Sequence, residues 1–397
     1  MELYYVNYYN DFRCIGADCE DTCCAMWDIE IDNKTYEKYK ACPGEWGRRF
    51  AASIDDRERC FLKKGKDCVF LNDKHLCDIQ SAFGEDMLCR TCKMFPRHME
   101  DYGERREFMI SLACPEAARM ILFKTEPVTF HRRVKERSIP EEDRVDEALL
   151  FALLELREAI SQILHKRDMD FAVRSAMVLG LGHDAHRYIK QQDWTGLNRV
   201  LKRYTQAGAA AGFNKRLEKW AAEASKQQSL QQQMKNYLHM LEGLEILDER
   251  WSAILKETQT LLYEEETEES YELLLKEFLR AENANELIYE NLTEYFIISY
   301  LVGAVFDREA YTKVKFALYS VLAIRELYLA RYKKNRAAGE AALKDSDRVE
   351  LAYWYSREIE NSQNNLDALD IVLGAHPEFT LERMLVPFIR SRRQEEI

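Results

Sequence analysis

Residues 14–24 read Cys-Ile-Gly-Ala-Asp-Cys-Glu-Asp-Thr-Cys-Cys, and all 11 cysteines of the 397-residue chain lie before residue 115. A lone buried cysteine is ordinarily an inert, small apolar side chain. Clustering of this kind instead indicates that the thiols serve one local purpose. The tightly spaced members of the set are Cys14, Cys19, Cys23, Cys24, Cys68, Cys77, Cys89, Cys92 and Cys114.

The spacing of these nine thiols predicts a metal or iron–sulfur centre with all nine as candidate ligands. Two residues separate Cys89 from Cys92, the commonest local unit of zinc and iron–sulfur sites, because both thiolates then reach one metal. One ion or one [4Fe–4S] cluster needs only four ligands, so either two centres exist or some thiols are redox-active or structural. Cys42 and Cys60 stand outside the tight spacings, and we expect them to take no part.

Composition limits the class of protein. The formal net charge of −12 does not favour nucleic acid as a partner. The N-terminus lacks the charged start and apolar run of a signal peptide, and the most apolar later stretch, residues 295–306, is too short to span a bilayer. We therefore expect a cytoplasmic protein without a membrane span. In that compartment clustered cysteines are more often metal-binding or catalytic than disulfide-bonded.

The remainder of the chain predicts helices. Only 15 glycines and 7 prolines occur, which favours long helices and short connections. Apolar residues recur at helical spacing from Leu149 to Ile163, and similar patterns continue through residues 310–332 and beyond. We find no convincing strand after residue 120 and no fixed repeat. The predicted fold is mainly α, with an irregular cysteine-rich metal- or cluster-binding module at 1–120, a linker at 121–140 and an irregular α-helical domain at 141–397.

Four stretches of the first segment resemble the flagellin lysine-N-methylase family: residues 12–32, 68–71, 84–97 and 111–119. That family belongs to a wider group named for a CxxCxxCC-like metal-chelating signature. This chain departs from the literal signature, with gaps of four and three residues before its Cys-Cys pair. The resemblance implies methyl transfer from S-adenosylmethionine to lysines of flagellin, and a cysteine-held iron–sulfur cluster, expected to be 4Fe–4S.

Lysine methylation sets requirements for the site. A neutral amine is a competent nucleophile, so an enzyme must deprotonate the ammonium group and align it with the methyl group. No Gly-x-Gly-x-Gly loop follows a strand, so the usual doubly wound methyltransferase sheet is not predicted. The Cys-x3-Cys-x2-Cys spacing typical of radical chemistry is also absent, which favours polar transfer. Candidate catalytic residues near the thiols are Asp28, Arg97 and Glu116, and candidate cofactor-binding residues are Trp27 and Arg97, the latter as a carboxylate binder.

Two other functions fit the same thiols. Zinc accepts an all-sulfur ligand set as readily as an iron–sulfur cluster does, so the chain could be a non-catalytic zinc-binding module with a helical protein-interaction domain. A thiol redox sensor would instead form reversible disulfides and bind no metal.

Overall fold

The computed structural model describes residues 1–22, 29–65, 67–74, 76–136, 140–224, 229–282, 285–340 and 343–391. Most of these residues are helical, so the prediction of a mainly α fold is confirmed. The α-helices are α1 (Asn33–Lys40), α2 (Gly44–Ser53), α3 (Asp78–Phe83), α4 (Arg90–Met94), α5 (Pro115–Leu122), α6 (Glu147–Leu164), α7 (Phe171–Gln191), α8 (Trp194–Thr205), α9 (Ala209–Ala224), α10 (Leu230–Glu242), α11 (Glu249–Gln259), α12 (Glu268–Ala281), α13 (Glu286–Tyr300), α14 (Ala304–Asp307), α15 (Ala310–Ala337), α16 (Asp345–Glu360), α17 (Gln363–Ala375) and α18 (Leu381–Arg390).

The strands form one four-stranded sheet and two short hairpins. The sheet has the order β6 (Arg97–Tyr102), β7 (Arg105–Ile110), β1 (Glu2–Val6) and β8 (Phe130–Val134), and β1 runs parallel to β7 and antiparallel to β8. Tyr5 of β1 lies opposite Phe108 of β7, and their rings stack with centroids 4.5 Å apart. The strands are β1 (Glu2–Val6), β2 (Ile54–Asp55), β3 (Cys60–Phe61), β4 (Lys63–Lys64), β5 (Asp67–Cys68), β6 (Arg97–Tyr102), β7 (Arg105–Ile110) and β8 (Phe130–Val134).

The expectation that no strand follows residue 120 is wrong. Strand β8 lies inside the stretch that the sequence predicts as a linker, and it pairs with β1 from Phe130 to Val134. Its sequence, Phe-His-Arg-Arg-Val, has little apolar alternation because it is an edge strand whose side chains are mostly exposed. Strand β8 forms by pairing with β1, which lies more than 120 residues earlier in the chain. The sequence of residues 130–134 alone therefore does not predict a strand.

The long helix α15 is the centre of the helical part. It begins at Ala310 as the periodicity predicts, and it packs against α7, α13, α16 and α17. Gly182 of α7 permits a close contact with α15, since an added Cβ there would lie 2.9 Å from Cγ1 of Val314. Side chains all round α15 are buried, as expected for a helix enclosed by others.

Two hydrophobic cores flank the cysteine-rich region. The larger core joins Val6, Phe12 and Leu112 from the N-terminal part to Phe296 and Tyr355 of the helices. The smaller core contains two cysteines and lies wholly within the first 92 residues; its largest members are Tyr36, Tyr39, Phe50, Phe61 and Phe70. A shared core therefore packs β1, β7 and α5 against the helical part, while the domain boundaries at 120 and 140 stay a prediction.

Within the ranges that the structure describes, no helix combines the length and the apolar character needed to cross a bilayer.

Candidate metal and cofactor site

Five cysteines that are distant in sequence line one cavity of about 90 Å³. Cys14 and Cys19 flank the short helical turn Gly16–Asp18, and the other three stand at the starts of short helices. Cys77 caps α3, Cys92 lies in the first turn of α4, and Cys114 precedes Pro115 at the start of α5. Five of the nine predicted ligands are thus brought together by the fold.

Cys89 adjoins this cavity through Cys92. The Cys89 thiol is buried and its sulfur lies 3.5 Å from that of Cys92. Two thiolates on one tetrahedral ion, each about 2.3 Å from the metal, would be about 3.8 Å apart. The hydrogen bond with Cys92 holds the pKa of the Cys89 thiol below its usual value, although burial opposes this. The predicted Cys-x2-Cys pair therefore has a separation compatible with a shared metal.

The remaining cysteines divide into three groups. Cys68 is buried in the smaller core. Cys42, after α1, and Cys60, in β3, do not line the cavity. Cys23, Cys24, Trp27 and Asp28 lie outside the described residues, so the structure does not test their predicted roles.

The described ranges contain no group of at least three His, Cys, Asp or Glu side chains that surround a single metal position. The metal centre, its identity and its ligand set accordingly stay predictions.

Asp21, between Cys19 and Cys23, anchors the first cysteine loop to the helical part. Its carboxylate accepts a hydrogen bond from Nη1 of Arg357 at 2.8 Å, and Arg250 lies 3.6 Å away. Nε of Arg357 donates to the carbonyl of Ala113 at 2.8 Å, the residue before Cys114. One buried guanidinium group thus holds two cysteine-bearing segments. Sequence reasoning missed this contact, because 336 positions separate the partners.

Two of the predicted polar residues also reach the cysteine-lined cavity. Glu116 lines it and forms an ion pair with Arg119 at 2.7 Å. Arg97 lines it as well; its guanidinium donates to the carbonyl of Phe12 at 3.1 Å and lies 5.0 Å from the Phe12 ring. These described contacts of Arg97 do not neutralise its charge, so the group is suited to bind an anion.

A larger cavity of about 620 Å³ shares Phe95 and Arg97 with the cysteine-lined cavity. Carboxylates and aromatic rings dominate its walls, which come from β6, α13, α14, α15, α16 and α17. We call it the acidic cavity. Its carboxylates are those of Glu100, Asp307, Glu360, Asp367 and Asp370, none of which the sequence singles out.

Comparison with known proteins locates the chain among methylases. A family model described as "FliB lysine N-methylase C-terminal domain" matches residues 157–386, more than half of the chain. The "Flagellar biosynthetic protein FliU" of Salmonella muenchen is 32% identical over 124 residues, covering 28% of this chain and 71% of that protein.

Two curated lysine-N-methylases give a similar match. Those of Salmonella typhimurium and Salmonella choleraesuis are each 32% identical over 124 residues, again covering 28% of this chain but only 30% of their own length. No solved structure matches the chain. On the strength of the C-terminal domain and of these relatives, the chain belongs to the FliB lysine N-methylase family.

Proposed function

We propose that this protein is an S-adenosylmethionine-dependent lysine methyltransferase, that flagellin is its substrate, and that its cysteines hold an iron–sulfur cluster. The observation that carries the proposal is the convergence of five cysteines on one cavity in a chain of this family. Relatives named lysine-N-methylase support the reaction, and the flagellar name of FliU supports the substrate. Clustered reduced thiols favour the cytoplasm as the location.

The side chains present fit such a cluster. Thiolates are the ligands that iron–sulfur clusters and zinc prefer, and the cavity presents Cys14, Cys19, Cys77, Cys92 and Cys114. A bound cluster would supply an iron with an open position for the amino and carboxylate groups of the cofactor. Arg97, at the wall between the two cavities, would pair with that carboxylate.

The direct test is methylation of purified flagellin by protein purified without oxygen. We expect methyl groups on flagellin lysines only when S-adenosylmethionine is added, and visible absorption typical of an iron–sulfur protein. Replacement of Cys89 and Cys92 by serine should abolish both. The matched double variant, Cys42→Ser with Cys60→Ser, should keep both, because neither residue lines the cavity. Full activity of the Cys89/Cys92 variant would remove the cluster from the proposal.

A zinc-binding protein-interaction module is the second candidate function. The 3.5 Å separation of the Cys89 and Cys92 sulfurs favours it, since this is close to the spacing of two thiolates on one zinc ion. A colourless protein with stoichiometric zinc and no methylation of flagellin would establish this alternative.

A further inference from the structure

The acidic cavity has more carboxylate than cation. Lys313 pairs with Asp307 at 3.0 Å and with Asp370 at 2.6 Å, so a single positive charge is shared between these two carboxylates. Glu100, Glu360 and Asp367 form no ion pair with any described residue. Three of the carboxyl groups that line the cavity are therefore without a positive charge of their own.

Glu360, the last residue of α16, is held in one orientation. Its Oε2 accepts from the phenols of Tyr295 at 2.7 Å and Tyr300 at 2.8 Å. Its Oε1 is inaccessible to solvent, and the side chain of Ser356 also interacts with the carboxyl group. Burial is the largest influence and raises the pKa of this carboxyl group. A cation in the cavity would lower the cost of burying its charge.

Neighbouring groups complete a binding site for an alkylammonium group. The hydroxyl of Ser299, a residue only 7% exposed that lines the cavity, has no hydrogen-bond partner in the described part of the chain. The rings of Tyr300 and Phe316 meet edge to face with centroids 4.9 Å apart. Aromatic faces attract cations and pack well against methylene groups. The walls of the cavity thus combine carboxyl groups, a hydroxyl group and aromatic rings, which suits an alkylammonium group.

Glu100 lies on β6 with its side chain toward the cavity. It stands opposite Glu107 of β7, and burial together with the Glu107 charge raises the pKa of Glu100 to about 7. Glu100, Glu360 and Tyr300 line the same cavity, and the charges of both carboxyl groups raise the pKa of Tyr300, after the larger effect of burial. A carboxylate with a pKa near neutrality is well suited to accept a proton at the pH of the cell.

The cavity opens beside an exposed aromatic ring. Phe306 lines it and is 67% exposed, with its ring 6.2 Å from that of Tyr102. An apolar side chain at an opening offers contact to the surface of a protein that inserts one side chain. This favours a protein-borne amine over a free amino acid.

We propose that the acidic cavity receives the side chain of the substrate lysine, with Glu360 binding its ammonium group and Glu100 accepting its proton. The inference rests on the proposed function. Glu100 takes one proton from the ε-ammonium group; the neutral amine then forms an N–C bond to the methyl carbon of S-adenosylmethionine. The C–S bond breaks with its electron pair on sulfur, leaving S-adenosylhomocysteine, and Glu100 returns its proton to solvent.

Binding of Nα-acetyl-lysine-N-methylamide by calorimetry tests the site without turnover. We expect this probe to bind the wild-type protein, and the norleucine analogue, which lacks the ammonium group, to bind at least about tenfold more weakly. Glu360→Gln should weaken lysine binding by at least about tenfold. Asp101→Asn is the matched control, because Asp101 follows Glu100 on β6 but faces the opposite side and pairs with Arg106. It should bind the probe as the wild type does.

Turnover of flagellin separates the roles of the two carboxyl groups. Glu100→Gln should lower kcat by about 100-fold or more while KM stays within a few-fold. Equal binding of the two probes, or unchanged binding by Glu360→Gln, would overturn the inference even if methylation proceeds. So would competition between S-adenosylhomocysteine and the lysine probe, which would assign the cavity to the cofactor. Specific lysine binding without any methylation would instead count against the proposed function.

Discussion

At the scale of single residues, the two carboxyl groups of the acidic cavity differ in what surrounds them. Two phenols donate hydrogen bonds to one carboxylate oxygen of Glu360. Glu100 instead lies opposite another carboxylate, that of Glu107, on the neighbouring strand. The first arrangement fixes a group that binds a cation, and the second produces a group that exchanges protons near neutral pH.

The pH dependence of kcat/KM for flagellin methylation should reflect Glu100. As a base it acts only when ionised, so kcat/KM should rise from pH 5.5 to 8.5 with an apparent pKa of about 7. His98, whose pKa burial lowers to about 4, is neutral across this range. The other charged or titratable groups facing the cavity or Glu100 are Arg97, Tyr102, Glu107, Tyr300, Asp307, Lys313, Glu360, Asp367 and Asp370.

Glu100→Gln should abolish this rise and leave the residual rate flat over the same pH range. The variant should also fold, because a pKa raised from 4.5 to about 7 means that the wild type loses stability as the pH increases from about 4.5 to about 7. A glutamine removes that cost, so its free energy of unfolding at pH 8 should equal or exceed that of the wild type. An unchanged rising limb in the variant would assign the titration to another group.

The sequence revealed the thiols but not these carboxyl groups. Eleven cysteines confined to one end of a chain are conspicuous, and five of the nine selected meet at one cavity. Glu100 and Glu360 are 2 of 69 acidic residues, and nothing near them in the chain distinguishes them. Their significance depends on burial and on partners from other elements, which a single sequence does not contain.

At the scale of elements, an ion pair joins the sheet to the helices. Arg157 of α6 donates two hydrogen bonds to Glu107 of β7, at 2.6 and 2.9 Å, and both side chains are buried. Burial alone would raise the pKa of Glu107, but the charges and hydrogen bonds of Arg157 and Arg105 bring it below its usual value. The pair fixes β7, and with it the neighbouring strand that carries Glu100.

Arg157→Met should strongly destabilise the protein, because it leaves Glu107 buried with Arg105 as its remaining partner. Breaking one side of a buried ion pair typically costs about 3–5 kcal/mol. Urea denaturation at pH 7 measures this as a decrease in the free energy of unfolding. Arg132→Ala is the control: Arg132 of β8 pairs with Glu2 of β1, its side chain is 55% exposed, and little change is expected. A similar small effect for Arg157→Met would show that the pair is not needed for docking of the sheet.

Helices were easier to predict than strands for a physical reason. The start of α15 follows from apolar periodicity within its own residues, whereas β8 is defined by pairing with the distant β1. The same distinction applies to the site: Cys89 and Cys92 meet within one helical turn, but Cys14 and Cys77 meet only through tertiary packing.

At the scale of the whole molecule, Arg357 connects the cysteine-rich part to the family-defining helices. It lies within the matched residues 157–386, while its partners Asp21 and Ala113 each adjoin cysteine-bearing segments. The arrangement of the thiols therefore depends on a side chain more than 240 residues beyond the last cysteine.

Arg357→Gln should lower the iron content of the anaerobically purified protein and its melting temperature together. The variant loses the ion pair with Asp21 and leaves a buried carboxylate without that partner. Arg250→Gln is the matched control, since Arg250 approaches the same carboxylate at 3.6 Å but is 52% exposed. Its iron content should match that of the wild type. Full iron content in Arg357→Gln would mean that the cysteine loop is positioned without this contact.

The Asp21–Arg357 contact also sets an order of events during synthesis. A ribosome adds roughly 5–20 residues per second, so Asp21 waits roughly 15–70 seconds before Arg357 has been made. Throughout that interval the first cysteine loop has no helix α16 to fasten it. The thiols are all translated early, whereas the Asp21 contact forms late, which leaves a period in which the nascent chain presents the first cysteine loop openly to whatever supplies the proposed cluster.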